Sequence, residues 1–194
     1  MVDFKLTEDQ LEMQNLFRKF AQEQILPIAE EMDEKEEMNM DMVKQMMELG
    51  FFGVPFSEEV GGTGMDYLTY CLLMEEVAKV CGSTSITISV HTSLCASIVE
   101  QYATPEQKEK WLRPLVDGSK IGCFGLTEPN AGSDVAGAVT TADKDGDFYV
   151  INGSKIFTTN SGFADTFLVF ALTDKSVPAI SRSEERRVGK ECRS

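Results

Sequence analysis

Histidine is almost missing from this chain, with His91 its single example among 194 residues. That excludes a histidine-rich metal centre, and it excludes Ser-His-Asp or Cys-His nucleophilic catalysis unless His91 itself serves. His91 falls within an apolar helical pattern, which points to a partly buried structural role. The five cysteines, Cys71, Cys81, Cys95, Cys123 and Cys192, are odd in number and show no Cys-x-x-Cys spacing, so a disulfide framework is disfavoured and free thiols are expected. No Gly-x-Gly-x-x-Gly occurs, and Gly61-Gly62-Thr63-Gly64 lacks both the preceding strand and the Lys-Ser/Thr ending of a P-loop. Basic residues are scarce, 18 Lys and Arg against 32 Asp and Glu, a net charge of −14. Such a surface repels nucleic acid and anionic membranes, so any bound phosphate must be held by local amides and hydroxyls. No apolar run reaches membrane-spanning length, and the amino terminus passes from Met1 to Asp3 and Glu8 without a basic, apolar leader. A cytoplasmic, soluble globule is the expectation.

What the chain does have is enough apolar residue, 42%, for a real core, and a change of pattern near residue 120. Before it the signals are helical. Thr7-x-x-Gln10 is a capping box, followed by Leu11, Leu16, Phe17, Phe20, Ile25 and Ile28 at helical spacing, with Pro27 expected to kink or interrupt the helix. The acidic pairs Glu30-Glu31, Asp33-Glu34 and Glu36-Glu37 read as a solvated face rather than metal ligands. A methionine-rich helix over 41–49 stops at Gly50, its Met42, Met46 and Met47 serving as packing. A third helix is predicted over 66–80. Ser83 is expected to cap a fourth, over 84–102, whose Ile86, Thr87, Val90 and Leu94 fall on one stripe and read as a core face. Thr104-Pro105-Glu106-Gln107 combines a capping box with proline in the first turn, opening a helix that ends near Asp117-Gly118.

From Ile121 the pattern becomes short alternating strands, with Asp145-Gly146 and Asn152-Gly153 as hairpin turns and an apolar strand over 166–172. The fold class is therefore α+β: a helical domain over 1–120 followed by an antiparallel β-domain over 121–181. Residues 182–194, with five basic and three acidic residues, break with this composition and are read as a non-native tail, a basic interaction arm being the minority alternative.

Two segments carry the functional signal. In Phe124-Gly125-Leu126-Thr127-Glu128-Pro129-Asn130-Ala131-Gly132-Ser133-Asp134 a strand end meets a forced turn. Gly125 leaves the strand open to a flat ligand, Thr127 offers a hydroxyl, and the Gly132-Ser133 amides with the Ser133 hydroxyl are free to face a phosphate. Lys155-Ile156-Phe157-Thr158-Thr159-Asn160-Ser161-Gly162 reads as a further strand with an aromatic, two hydroxyls and a turn. By themselves both are ordinary strand-and-turn segments.

Together they resemble the flavin-binding strands of the acyl-CoA dehydrogenase family, with its Thr-Glu-Pro-x-Ala-Gly-Ser-Asp loop followed by a Trp/Phe-x-Thr-Asn strand. The resemblance extends through Leu6-Thr7-Glu8-Asp9-Gln10, Glu58-Glu59-Val60-Gly61-Gly62-Thr63-Gly64 and Gln107-Lys108-Glu109-Lys110-Trp111-Leu112. It covers about residues 1–176 and is nearest to bacterial short-chain (butyryl-CoA) members. It implies FAD as cofactor, bordered by Phe124, Gly125, Leu126 and Thr127, covered by Phe157, hydrogen-bonded near N5 by Thr159 beside Thr158, and approached by Gly132 and Ser133. It implies an acyl-CoA thioester as substrate, touched by Ser133, with Ile86, Thr87, Val90 and Leu94 as candidate walls of the acyl pocket. The implied reaction is α,β-dehydrogenation: a carboxylate takes the α-proton and the β-hydrogen leaves as hydride to the flavin, with electrons passing on to an electron-transfer flavoprotein. The family's catalytic glutamate lies in a C-terminal four-helix domain for which this sequence has no counterpart, so no base is assigned here. Glu128, before the turn proline, reads as structural. Homotetramers are the family's assembly. A same-fold acyl-CoA oxidase or flavin monooxygenase, or a catalytically inert fragment, is the alternative.

Overall fold

The computed structural model describes residues 5–173 and the backbone of 181–185. Helix α1 (Glu8–Phe20) starts where Thr7 accepts from the Gln10 amide at 3.2 Å while the Gln10 side chain takes the Thr7 amide at 3.0 Å, two orphan donors satisfied reciprocally. It passes through a π-helical turn, Ala21–Ile25, into α2 (Leu26–Lys35), with Pro27 in the first turn of α2. The interruption expected from Pro27 is thus a widening of the turn before it rather than a break. Asn39 caps α3 (Met40–Glu48) and Asp66 caps α4 (Tyr67–Ala78), each accepting from an amide three residues on.

Next come α5 (Gly82–Ser89), a π-helical turn over Val90–Ala96, and α6 (Ser97–Tyr102). The expected cap at Ser83 is not used: Cys81 stands at the N-cap and the helix starts two residues earlier than expected, at Gly82, with Thr84 Oγ1 donating to Cys81 Sγ. The second capping box, Thr104 with Gln107, opens α7 (Pro105–Gln107), continued by a π-helical turn and α8 (Arg113–Val116). Gly118 then takes φ +78°, and its stop near 117–118 matches the sequence signal.

Two apolar clusters hold these helices. One gathers Phe17, Phe20, Ile25, Met42, Met46, Phe51, Phe52, Leu73, Val77 and Ile88, with Phe51 meeting Phe17 and Phe20 edge-on at 5.2 and 5.1 Å. The methionines pack, as expected. Leu11 and Leu16 do not join them: both are exposed, because only the Phe17, Phe20 and Ile25 side of the stripe meets a neighbour. The second cluster sets Phe56, Cys95, Val99, Leu112, Leu115 and Val116 against Leu168 of a β-strand, so helices and sheet share one core.

The glycine-rich loop serves this packing. A Cβ at Gly62 would lie 2.2 Å from the Phe56 carbonyl oxygen, and the Gly64 amide donates to that same oxygen at 2.8 Å, so the loop closes on its own backbone.

Strands β1 (Gly122–Gly125), β4 (Thr166–Ala171) and β5 (Ser181–Glu185) form one sheet in the order β1-β4-β5, while β2 (Thr141–Asp145) and β3 (Phe148–Asn152) pair as a hairpin. The α+β order of the sequence reading holds, with a correction inside the β-part. β1 and β4 run parallel, with Gly122 opposite Thr166, and only the other two pairs are antiparallel. The hairpin turn at Asp145-Gly146 is present. Asn152-Gly153 is not a hairpin turn: β3 ends there with no returning strand, and Gly153 is needed because its Cβ would sit 2.3 Å from Thr140 Oγ1. The boundary expected at 181/182 falls within β5. Residues 186–194 lie outside the described residues.

Candidate functional site

The two signal segments, separated by the β2–β3 hairpin, lie side by side. β1 delivers Phe124 and Gly125, and the chain leaves the strand at Leu126 and Thr127. There the Ile156 amide donates to the Thr127 carbonyl at 2.9 Å and Lys155 Nζ donates to the Leu126 carbonyl at 3.0 Å. The second segment is not the strand its sequence suggested. Residues 154–158 pair with no strand beyond the Ile156 contact, and Phe157 and Asn160 both take left-handed backbone, at φ +56° and +71°. A non-glycine residue there costs about 1 kcal/mol or more, so the tertiary contacts, not propensity, hold this shape.

The consequence is an unusual display. The Phe157 ring is 84% exposed beside the half-buried Thr127, Thr158 and Thr159. Among the described residues none offers a partner to the hydroxyls of Thr127, Ser133, Thr158 or Thr159. Gly132 and Ser133 are exposed, and nothing lies within 4 Å of where a Gly132 Cβ would be. The Phe124 ring, by contrast, is partly buried and packs against Phe170 at 5.2 Å.

Glu128 sits under this edge, 4% exposed. Its Oε1 accepts from Lys155 Nζ at 2.7 Å and from the Thr140 amide at 3.0 Å, and its Oε2 accepts from the Val139 amide at 2.7 Å. Burial alone would push this carboxyl up, but Lys155 with Thr140 and Val139 outweighs it and holds the group at about 2. A carboxylate so saturated is a poor proton acceptor. Its work is to pin the turn through Ala131, whose amide and carbonyl pair with those of Glu128, onto Lys155 and the start of β2. The sequence reading of Glu128 as structural agrees with this geometry, while its partner Lys155 was not foreseen.

Two further buried side chains tie the edge to the helices. His91, fully buried, donates from Nε2 to the Leu115 carbonyl, 3.0 Å away, and its Nδ1 accepts from the Gly122 amide at 3.0 Å. The amide must donate, so Nδ1 is unprotonated and the ring is neutral, with Nε2 carrying the proton. Burial drives its pKa down to about 4 despite the Leu115 carbonyl. Asn160 donates from Nδ2 to the Thr87 carbonyl at 3.0 Å and to the Gly122 carbonyl at 3.1 Å.

The stripe at Ile86, Thr87, Val90 and Leu94 divides. Thr87 and Val90 are buried, but Ile86 and Leu94 are 50% and 37% exposed, so this is not the continuous core face that its periodicity suggested. Spacing assigns residues to a side of the helix without saying what covers that side. The four described cysteines are free thiols, and among the described residues no His, Cys, Asp and Glu cluster could hold a metal ion. No helix of the described residues is long and apolar enough to cross a membrane.

Comparison with known proteins bears on this geometry. Residues 7–119 match the family model "Acyl-CoA dehydrogenase, N-terminal domain" and residues 123–184 match "Acyl-CoA dehydrogenase, middle domain". The chain belongs to the acyl-CoA dehydrogenase family. Family relatives include the short-chain specific acyl-CoA dehydrogenase of Clostridium acetobutylicum, 52% identical over 175 residues, which are 90% of this chain and 46% of that one. Another is the short-chain specific enzyme of Megasphaera elsdenii, 45% identical over 90% of this chain and 47% of the relative. Among solved structures, butyryl-CoA dehydrogenase from Megasphaera elsdenii superposes with a TM-score of 0.91 at 42% identity, covering 96% of this chain and 50% of that one. A chain in a structure of the electron transferring flavoprotein of Acidaminococcus fermentans gives 0.93 at 44% identity, with the same coverage. The chain thus spans about half the length of the relatives it matches.

Proposed function

We propose that this chain provides the flavin-facing edge of an FAD-dependent dehydrogenase acting on a short-chain acyl-CoA thioester of the butyryl-CoA type. The observation that carries the proposal is the edge itself: an exposed Phe157 ring beside the Thr127, Thr158 and Thr159 hydroxyls, which find no partner among the described residues. This donor set fits FAD. An isoalloxazine ring needs a flat surface and hydrogen bonds at N5 and at its pyrimidine edge, and a pyrophosphate needs free amides such as those of Gly132 and Ser133. With a net charge of −14, such local donors rather than a basic patch must neutralise phosphate. The short-chain and FAD readings follow the relatives, among which an FAD complex of PigA also shares the fold at 27% identity and a TM-score of 0.87.

When bound, FAD supplies the acceptor for the β-hydrogen of the thioester. In this reading Thr159 donates toward N5, Thr127 borders the ring, Phe157 covers it, and Ser133 stands where cofactor and the CoA portion meet. Ile86 and Leu94, exposed on α5 and the turn after it, are offered as acyl-pocket wall beside Thr87 and Val90. Glu128 is bypassed as the base, because its proton affinity is suppressed and its lone pairs are taken. An electron-transfer flavoprotein is the proposed acceptor and a homotetramer the proposed assembly.

The test is FAD uptake by the purified protein, read by equilibrium dialysis and by the visible absorption of the bound flavin. Thr159→Val should weaken FAD about tenfold, the loss of one hydrogen bond in a desolvated site. A colourless protein that takes up no FAD refutes the reading. With FAD loaded, anaerobic butyryl-CoA separates activities: bleaching stable in air indicates a dehydrogenase, bleaching with rapid recolouring indicates an oxidase, and no bleaching leaves a flavin-binding unit only.

A further inference from the structure

The backbone between Phe157 and Asn160 is bracketed by two left-handed residues, neither of them glycine, with the two candidate threonines between. Tight local bonds close it: the Thr159 amide donates to the Phe157 carbonyl at 3.0 Å and the Ser161 amide to the Thr158 carbonyl at 3.1 Å. Neither bond reaches outside the loop, so neither can set where the loop stands relative to β1. Asn160 does reach outside. It is 6% exposed, and its one amide nitrogen spans from Thr87 on α5 to Gly122 on β1.

Gly122 is itself gripped from the other side. Its amide donates to His91, and the space where a Cβ would stand is filled by Cys95 Sγ at 2.6 Å. One peptide segment at the start of β1 is therefore held between the helical part and the 157–160 loop, two residues before Phe124. The orientation of the Asn160 amide is not ambiguous, since a flipped side chain would set its oxygen against two carbonyl oxygens.

We propose that Asn160 is a positioning residue for the flavin: by clamping the strained loop to Gly122 and to Thr87, it fixes the distance of Thr159 and Phe157 from the Thr127 edge and couples that edge to α5. The assignment rests on the flavin reading above. The side chain does not touch the cofactor edge, and it acts through the backbone that carries Thr158 and Thr159. Asparagine suits the place doubly, because it tolerates left-handed backbone and supplies two donor hydrogens from one nitrogen.

Asn160→Gly separates these two contributions, since glycine keeps the left-handed backbone without strain and removes only the clamp. Asn160→Asp, which sets an acceptor against both carbonyls, should act in the same direction more strongly. For Asn160→Gly the expected results are a Kd for FAD at least tenfold weaker and an altered visible circular dichroism of the flavin that still binds. In the FAD-free protein, hydrogen exchange at the amides of Thr159 and Ser161 should speed up at least tenfold while the slow amides of α4 keep their rates. Native FAD affinity with native flavin spectrum in Asn160→Gly overturns the proposal, as does accelerated exchange spread evenly over the whole protein, the mark of a general stability loss. Failure of the wild-type protein to take up FAD is a different result: it removes the flavin reading itself, and this assignment with it.

Discussion

Replacing Lys155 by methionine tests the anchor beneath the candidate flavin edge. The substitution keeps length and apolar bulk but leaves Glu128 with only the Val139 and Thr140 amides. Glu128 lies at about 2 in the folded protein against an ordinary 4.5, and each pKa unit corresponds to about 1.4 kcal/mol, so its favourable environment contributes about 3 kcal/mol. Lys155 is the foremost of the groups that lower it. Breaking a buried pair by removing one member typically costs about 3–5 kcal/mol, so Lys155→Met should cost about 3 kcal/mol at neutral pH. The sign of the pH dependence follows from the depressed acid: the contribution is complete above about 4.5 and disappears as pH falls toward about 2. Urea unfolding followed by Trp111 fluorescence, run at pH 7 and near pH 3, measures both. Adding Glu128→Gln to the variant should recover part of the loss, because it removes the uncompensated buried charge. A cost under about 1 kcal/mol at pH 7, typical of an exposed pair, or a cost as large near pH 3 as at pH 7, would refute the reasoning.

His91 predicts a separate acid limb. Its folded value of about 4 lies below the ordinary 6.5, so stability present above pH 6.5 should fall by about 3 kcal/mol as pH drops toward 4, because the unfolded chain takes up the proton first. As the only histidine, it has no rival near pH 6. Denaturation midpoints between pH 7 and 5 should slope in the wild type and flatten in His91→Gln, and a flat wild-type profile contradicts the neutral, buried ring. Gly62→Ala places a methyl 2.2 Å from the Phe56 carbonyl, which backbone can relieve only by moving, so a loss of about 2–3 kcal/mol in thermal or urea unfolding is expected. An unchanged melting temperature would mean the loop does not close as described.

Much of this protein was legible because its signals are local. The capping boxes at Thr7 and Thr104, the stop at Gly118 and the hairpin at Asp145-Gly146 each act within three or four residues, and each appears in the fold. The groups that the paired Thr-Glu-Pro and Phe-Thr-Thr-Asn segments offer were legible for the same reason, since residue types fix what a loop can present, and the fold sets the two segments side by side. The stripe on α5 shows the limit, since periodicity sorted Ile86 and Leu94 with Val90 without specifying which of them would meet protein. Likewise Lys155 to Thr159 has the composition of a strand, yet left-handed Phe157 and Asn160 override that preference.

What holds the edge together was decided only in three dimensions. Lys155 finds Glu128 across 27 positions, His91 finds Gly122 across 31 and Asn160 finds Thr87 across 73. Each is a buried polar group that engages partners far along the chain, and no local pattern encodes which partners those are. The sequence by itself determined the helical-then-β order, the turns and the chemical inventory of the edge. The tertiary structure alone decided which buried donors and acceptors meet, and therefore how that edge is held.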